Sequence, residues 1–319
     1  MTSRSRGSRL RNASLIAGAV TAGLPALWTT QHLRSRAVRN WTAPTLPGRW
    51  TDPLYARSGG QGNDAVVLLH GLVSSGDVFG AAYDGIAIDR RLLVPDLLGF
   101  GRSLDHMRAE FTVGDHLDAL DSVVEHHGLD DARVTIGAHS MGSALALLWA
   151  RRHSERVERI VCWGAPIFAS PEAARRRISG STMTRLFALD TTWARRACAL
   201  SCHHRTAAGW LSASAEPRLP VPIARAASLH TWPAYRDAIC GLVIETNWPT
   251  LMGDLDSKGI GVDLVWGTED RVGDHRIAHE IVKNSEHSTM TIVDGAGHHL
   301  PMTHPALCLS QLNATDVSL

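Results

Sequence analysis

Short, uninterrupted apolar runs punctuate the chain, and each ends abruptly in glycine, proline or a polar turn. Asp64–Gly71 (DAVVLLHG), Leu92–Val94 ahead of Pro95, Val134–Ile136, Arg159–Cys162, Val262–Trp266 and Thr289–Val293 are such runs. Runs that are apolar on both faces predict strands of a buried parallel sheet. A short edge strand is expected at Leu54–Arg57, after a proline-rich linker that starts at Trp41. Between the strands the period changes to that of a helix. Thr112 and Asp115 have the spacing of a capping box, and Val113, Leu117, Leu120 and Val124 recur on one helical face. An Ala/Leu-rich segment after Ser140 and the stretch Arg276–Lys283 predict two further helices. Strands alternating with helices imply an α/β fold with right-handed crossovers and a mostly parallel central sheet flanked by helices. From Pro166 to about Thr250 the alternation stops: strand runs disappear, and Arg, Ala and four tryptophans (Trp193, Trp210, Trp232, Trp248) accumulate. This stretch is expected to be a helical insertion over the sheet.

In an open parallel sheet, chemistry collects at the carboxyl ends of the strands, so the loops there carry the candidates. RVTIGAHSMGSALALLWARR reads as strand, sharp turn, helix, with Ser140 at the turn and small residues, Ala138 and Gly142, two positions to either side. That geometry exposes the hydroxyl and aims the first helical N–H groups at it. A serine hydroxyl needs a base, and the base needs an acid to hold its tautomer. The loop after Val262–Trp266 (GTEDRV) offers Asp270 as the natural acid, with Glu269 and Asp274 as alternatives. The loop after the last strand (DGAGHHLP) offers His298 as the base, with His299 beside it.

In the motifs VVLLHG, PDLLGFGRS, GAHSMG, WGTEDRV and GAGHHLP, the chain from about Leu54 to its C-terminus resembles the α/β-hydrolase superfamily, in the form that carries a helical cap. The resemblance implies an α/β-hydrolase core over residues 41–165 and 251–319 and a cap over residues 166–250. It also implies Ser140 as nucleophile, Asp270 as acid and His298 as base, with the backbone N–H groups of Leu72 and Met141 as the oxyanion hole. Asp96 and Gly101 match a supporting turn, while His70 and His139 match positions that orient backbone. A serine nucleophile disfavours the dehalogenase and epoxide hydrolase branches, which need a carboxylate. It fits cleavage of an ester, lactone, thioester or amide through an acyl-enzyme, and the cap tryptophans suit an apolar acyl group. The competing readings are a non-catalytic small-molecule-binding protein on the same fold and a membrane-anchored lipid esterase.

Composition narrows the rest. The 319 residues are 44% hydrophobic and 20% charged, and 32 basic against 31 acidic residues give a net charge of +1, which argues against a nucleic-acid partner. Five cysteines at irregular spacing do not form a disulfide framework. Cys198, Cys202, His203 and His204 lie close in sequence, with Cys240 further on, but without the paired Cys-x-x-Cys spacing of structural zinc. No dinucleotide or phosphate loop is present, so neither cofactor nor metal is expected. Residues 1–40 read either as a leader or as a membrane anchor: Arg4, Arg6, Arg9 and Arg11 precede an uncharged stretch, residues 13–31, just long enough to contact or span a bilayer. Cytoplasmic and N-terminally membrane-anchored locations both fit this pattern.

Overall fold

The computed structural model describes residues 25–180 and 191–313. Its centre is an eight-stranded sheet: β1 (Gly48–Thr51), β2 (Leu54–Gly59), β3 (Asp64–Leu69), β4 (Arg91–Pro95), β5 (Arg133–His139), β6 (Val157–Trp163), β7 (Gly261–Gly267) and β8 (Thr289–Val293). The order is β1-β2-β4-β3-β5-β6-β7-β8. β1 and β2 form an antiparallel hairpin, β2 is antiparallel to β4, and the pairs from β4 to β8 are parallel. The edge strand expected at Leu54–Arg57 is therefore covered by a further strand, β1. Only four residues long, with Arg49 and Trp50 exposed, β1 has no apolar run to betray it.

Burial explains the sequence pattern. Ala65 to Leu69 of β3 and Val134 to His139 of β5 are buried because helices cover both faces of the sheet. On one face lie α1 (Val113–His126), capped reciprocally by Thr112 and Asp115, and α2 (Met141–Arg152). Phe79, Tyr83, Trp163, Met302 and Leu312 fill the other face. Gly137 lets the layers meet, since a Cβ there would stand 2.7 Å from both Leu68 and Trp163. β3 connects toward β4 on one side and β5 toward β6 on the other. The strand order thus reverses between β3 and β5, which opens a crevice at their carboxyl ends.

Between β6 and β7 the described residues include helices at Pro171–Ile178, α3 (Thr192–His203), α4 (Arg205–Ala215), Val221–Ala226, Trp232–Ala238 and Trp248–Asp256. The last packs on α2, with Trp248 fully buried. At the N-terminal end, residues 25–34 are helical, followed by a short helix at Arg36–Asn40. This segment is tied to both parts of the molecule: Trp28 Nε1–H donates to Ala213 O (3.3 Å), and Asn40 Nδ2–H to Thr303 O (2.8 Å). Most of the stretch at residues 13–31 lies outside the described residues. Among those described, no helix is long and apolar enough to cross a membrane.

One buried ion pair fixes the loop after β3. Arg57 Nη1 lies 2.7 Å from Asp84 Oδ1, the two side chains being 4% and 8% exposed, and Arg57 Nη2 donates to Gly76 O (3.1 Å). Removing one partner of such a pair leaves the other charge buried and uncompensated. Arg57→Ala is expected to lower the unfolding free energy by about 3–5 kcal/mol, read from denaturant titration. A loss below about 1 kcal/mol, the range of surface ion pairs, would show that water reaches the Asp84 carboxylate.

Candidate active site

Ser140 joins the end of β5 to the start of α2 with φ +53° and ψ −124°, backbone angles that a residue with a Cβ adopts only under constraint. The constraint comes from both sides. Ser140 N–H donates to Trp163 O (3.0 Å), and Ser143 N–H donates back to Ser140 O (2.9 Å). Gly142 is required beneath the turn, because a Cβ would come within 2.6 Å of the Leu69 and His70 carbonyl oxygens. Ala138, the other small position, is fully buried. Residues at the first turn of α2 have N–H groups without intrahelical partners, and Met141 is the first of them.

The structure brings three of the residues singled out in the sequence into one chain of hydrogen bonds. Ser140 Oγ lies 3.0 Å from His298 Nε2, and His298 Nδ1 lies 2.9 Å from Asp270 Oδ2. The Asp270 side chain is fully buried and that of His298 is 18% exposed. The second Asp270 oxygen, Oδ1, accepts the N–H of Val272 (2.8 Å). Of the alternatives, Asp274 is occupied at the N-terminus of the next helix, where it accepts the N–H of Arg276 (3.1 Å). His299 stacks edge-on against His298, and burial pushes its imidazole down to about 4, so it is neutral at pH 7.

Gly164, the residue after β6, was not among the sequence candidates. It has φ +61°, and a Cβ there would stand 2.9 Å from Asp270 Oδ2 and 3.0 Å from His298 Nδ1. A side chain at this position would wedge apart the acid and the imidazole. Gly267 serves similarly at the end of β7, where a Cβ would collide with Ala296 O at 2.0 Å.

The loop after β3 is held by buried polar groups. Leu97 N–H donates to His70 Nε2 (2.8 Å), which leaves the ring proton on Nδ1 to donate to Gly71 O (2.8 Å). With the Gly71 carbonyl turned toward His70, a trans peptide points the Leu72 N–H the opposite way. Burial lowers the His70 imidazole against the opposing field of Asp96, which keeps it neutral in this role. Asp96 accepts the N–H groups of Gly76 and Arg102, both at 2.7 Å. Gly101, at φ +57°, leaves room for that carboxylate. His139 Nε2–H donates to His298 O (2.9 Å), and burial, reinforced by His298 and His299, holds its imidazole well below the usual value. Among the described residues, Val73 is the second non-glycine residue at positive φ (+49°). It had no sequence signal, because the strain is imposed by the loop and not by its own side chain.

Two cavities lie near, one beside Val73 in the loop after β3 and one reaching His298. One, of about 600 Å³, is lined mainly by apolar groups, among them Val73, Ala194, Ala197, Trp232 and Tyr235. The other, of about 670 Å³, runs between His298, the N-terminal segment and the chain after α4. Cys198 and Cys202 approach to 3.8 Å beside His230, whereas Cys240 is exposed. Among the described residues, no group of three His, Cys, Asp or Glu side chains is disposed to hold a metal ion.

Comparison with known proteins bears on the fold. The family described as alpha/beta hydrolase fold matches residues 64–191. A probable lysophospholipase, BODYGUARD 4 of Arabidopsis thaliana, is 26% identical over 261 residues, covering 74% of this chain. The match spans 60% of that relative's length. Among solved structures, the enol-lactonase of Burkholderia xenovorans LB400 superposes with a TM-score of 0.61 at 17% identity, over 84% of this chain and 98% of its own. A membrane phospholipase A, described as a bacterial virulence factor, superposes at 0.58 and 19% identity over 97% and 98%. The sheet order, the crevice at its reversal and these likenesses lead to one assignment. The chain has the α/β-hydrolase fold.

Proposed function

We propose that the protein is a serine hydrolase that cleaves a carboxylic ester, or a related lactone, thioester or amide, through an acyl-enzyme. The observation that carries this reading is the hydrogen-bond chain from Ser140 through His298 to buried Asp270, at 3.0 and 2.9 Å, built on a strained turn. His298 takes the Ser140 proton as Oγ attacks the carbonyl carbon, and returns it to the leaving group. Asp270 keeps the Nδ1–H tautomer and stabilises the imidazolium. The Leu72 and Met141 N–H groups receive the oxyanion; each such donor contributes about 3–4 kcal/mol of transition-state stabilisation. Water then deacylates Ser140 by the same steps. The described helices between β6 and β7 act as the cap of residues 166–250, and the cavity at Val73, next to Leu72, takes an apolar acyl group. A probable lysophospholipase and an enol-lactonase among the similar proteins are in keeping with acyl substrates of this kind.

A fluorophosphonate probe tests the reading. The expected result is a single covalent adduct located on Ser140 by peptide mass spectrometry, together with turnover of nitrophenyl esters that peaks at one acyl length. A folded protein that neither labels nor turns over any ester of the series would overturn the hydrolase reading in favour of a small-molecule-binding protein.

A further inference from the structure

The groove that reaches His298 from outside is lined by more arginines than carboxylates among the described residues. Arg34 and Arg36 enter it from the N-terminal segment, and Arg218 from the chain after α4. The two segments are joined where Ser35 Oγ–H donates to Arg218 O (2.5 Å). Arg36 Nη1–H donates to His304 Nε2 (3.1 Å). Among the described residues, the guanidinium groups of Arg34 and Arg218 have neither an ion-pair partner nor a hydrogen bond. Glu216 and Glu269 also line the groove, so its formal balance is one positive charge in excess. Glu216 lines the apolar cavity as well, so this one residue faces both spaces.

We infer that this groove is a subsite for an anionic group, phosphate or carboxylate, on the alcohol side of the substrate. The inference rests on the proposed roles of Ser140 and His298. An acyl chain seated in the cavity at Val73 puts its carbonyl at Ser140, and the leaving alcohol then lies toward His298 and the groove. Guanidinium groups offer paired donors that match the oxygens of phosphate and carboxylate, and guanidinium groups not already engaged in an ion pair gain most from an incoming anion. The substrate is thus an amphiphile: an acyl ester of an alcohol that carries a negative charge. On this reading residues 25–40 are part of the substrate site.

The test compares the wild type with an Arg34→Ala/Arg218→Ala double variant on matched octanoyl esters, all kept below their micelle concentrations. Octanoylglycerol is paired with octanoylglycerol phosphate, and methyl 3-octanoyloxypropanoate with its free acid. The wild type is expected to show a KM about tenfold lower for the charged member of a pair, an advantage that fades with added salt. In the double variant, shown to be folded by its melting temperature, the ratio falls to about one, and lysine at both positions restores part of it. Preference for the phosphate alone identifies a lipid-like head group, and preference for both acids a general anion site. Equal KM values within each pair, or a preference that survives the double variant, would sink the subsite. Calorimetric binding of octanoylglycerol phosphate to Ser140→Ala separates the two readings. Arginine-dependent binding in a protein that never turns over keeps the subsite and removes the hydrolase, and turnover without charge preference does the reverse.

Discussion

Ser140→Ala is expected to lower kcat for any ester the protein hydrolyses by a factor of about 10⁴ to 10⁶, the range found when a serine nucleophile is removed from a triad. It is also expected to leave the fold's stability nearly unchanged, because alanine keeps the Cβ and with it the strain at φ +53°, ψ −124°. Ser140→Gly separates the two effects. Glycine adopts those angles freely, which recovers strain of order 1–3 kcal/mol, and loses about 0.5–1 kcal/mol through the extra freedom of the unfolded chain. The balance favours the glycine variant over the alanine variant by about 1 kcal/mol, a rise in melting temperature of about 1–2 °C for a protein of this size. Both variants are equally inactive. If the glycine variant melted no higher than the alanine variant, the turn would not be strained, and the placement of the Oγ against His298 would need another cause.

How much of this arrangement is legible in the sequence depends on whether a residue acts through its own side chain or through its neighbours' positions. The central strands are legible because burial on both faces demands unbroken apolar runs, as in VVLLHG. Ser140, Asp270 and His298 can be picked out because each sits where such a run ends, in a loop rich in glycine, and carries a group that can move or hold a proton. The hairpin strand β1 escapes notice: it is four residues long and half solvent-facing, and tertiary pairing with β2 makes it a strand. Gly164 escapes for a different reason, since its importance lies in the approach of Asp270 and His298, more than a hundred residues later. The insertion's tryptophans could not be sorted by composition. Trp248 is buried against α2, Trp232 lines a cavity, and Trp193 and Trp210 are more than half exposed. Nor does any local pattern reveal that residues 25–40 turn back onto Ala213 and Thr303, because the contacts run through backbone carbonyls.

Asp270→Asn is expected to reduce kcat by about 10⁴-fold with little change in fold, and the surroundings of the carboxylate determine why. Oδ1 accepts the fixed N–H of Val272 at 2.8 Å, and Oδ2 faces His298 Nδ1 at 2.9 Å. An asparagine in this buried place has two orientations. With its NH2 toward Val272 it sets donor against donor, leaving a buried polar group unpaired at a cost of about 1–3 kcal/mol. With its oxygen toward Val272 every bond is made, but the NH2 now donates to His298 Nδ1. The imidazole must then carry its proton on Nε2, the atom that has to receive the proton of Ser140. The better-bonded orientation is therefore the inactive one, and the loss should appear in kcat while KM for a neutral ester stays within a few-fold. Fluorophosphonate labelling of Ser140 should slow by a comparable factor, because that reaction draws on the same base. If Asp270→Asn kept more than about a tenth of wild-type kcat, the carboxylate would be a structural anchor of the β7 loop, and the base at Ser140 would draw its orientation from elsewhere, with the His139 bond to the His298 carbonyl the first contact to examine.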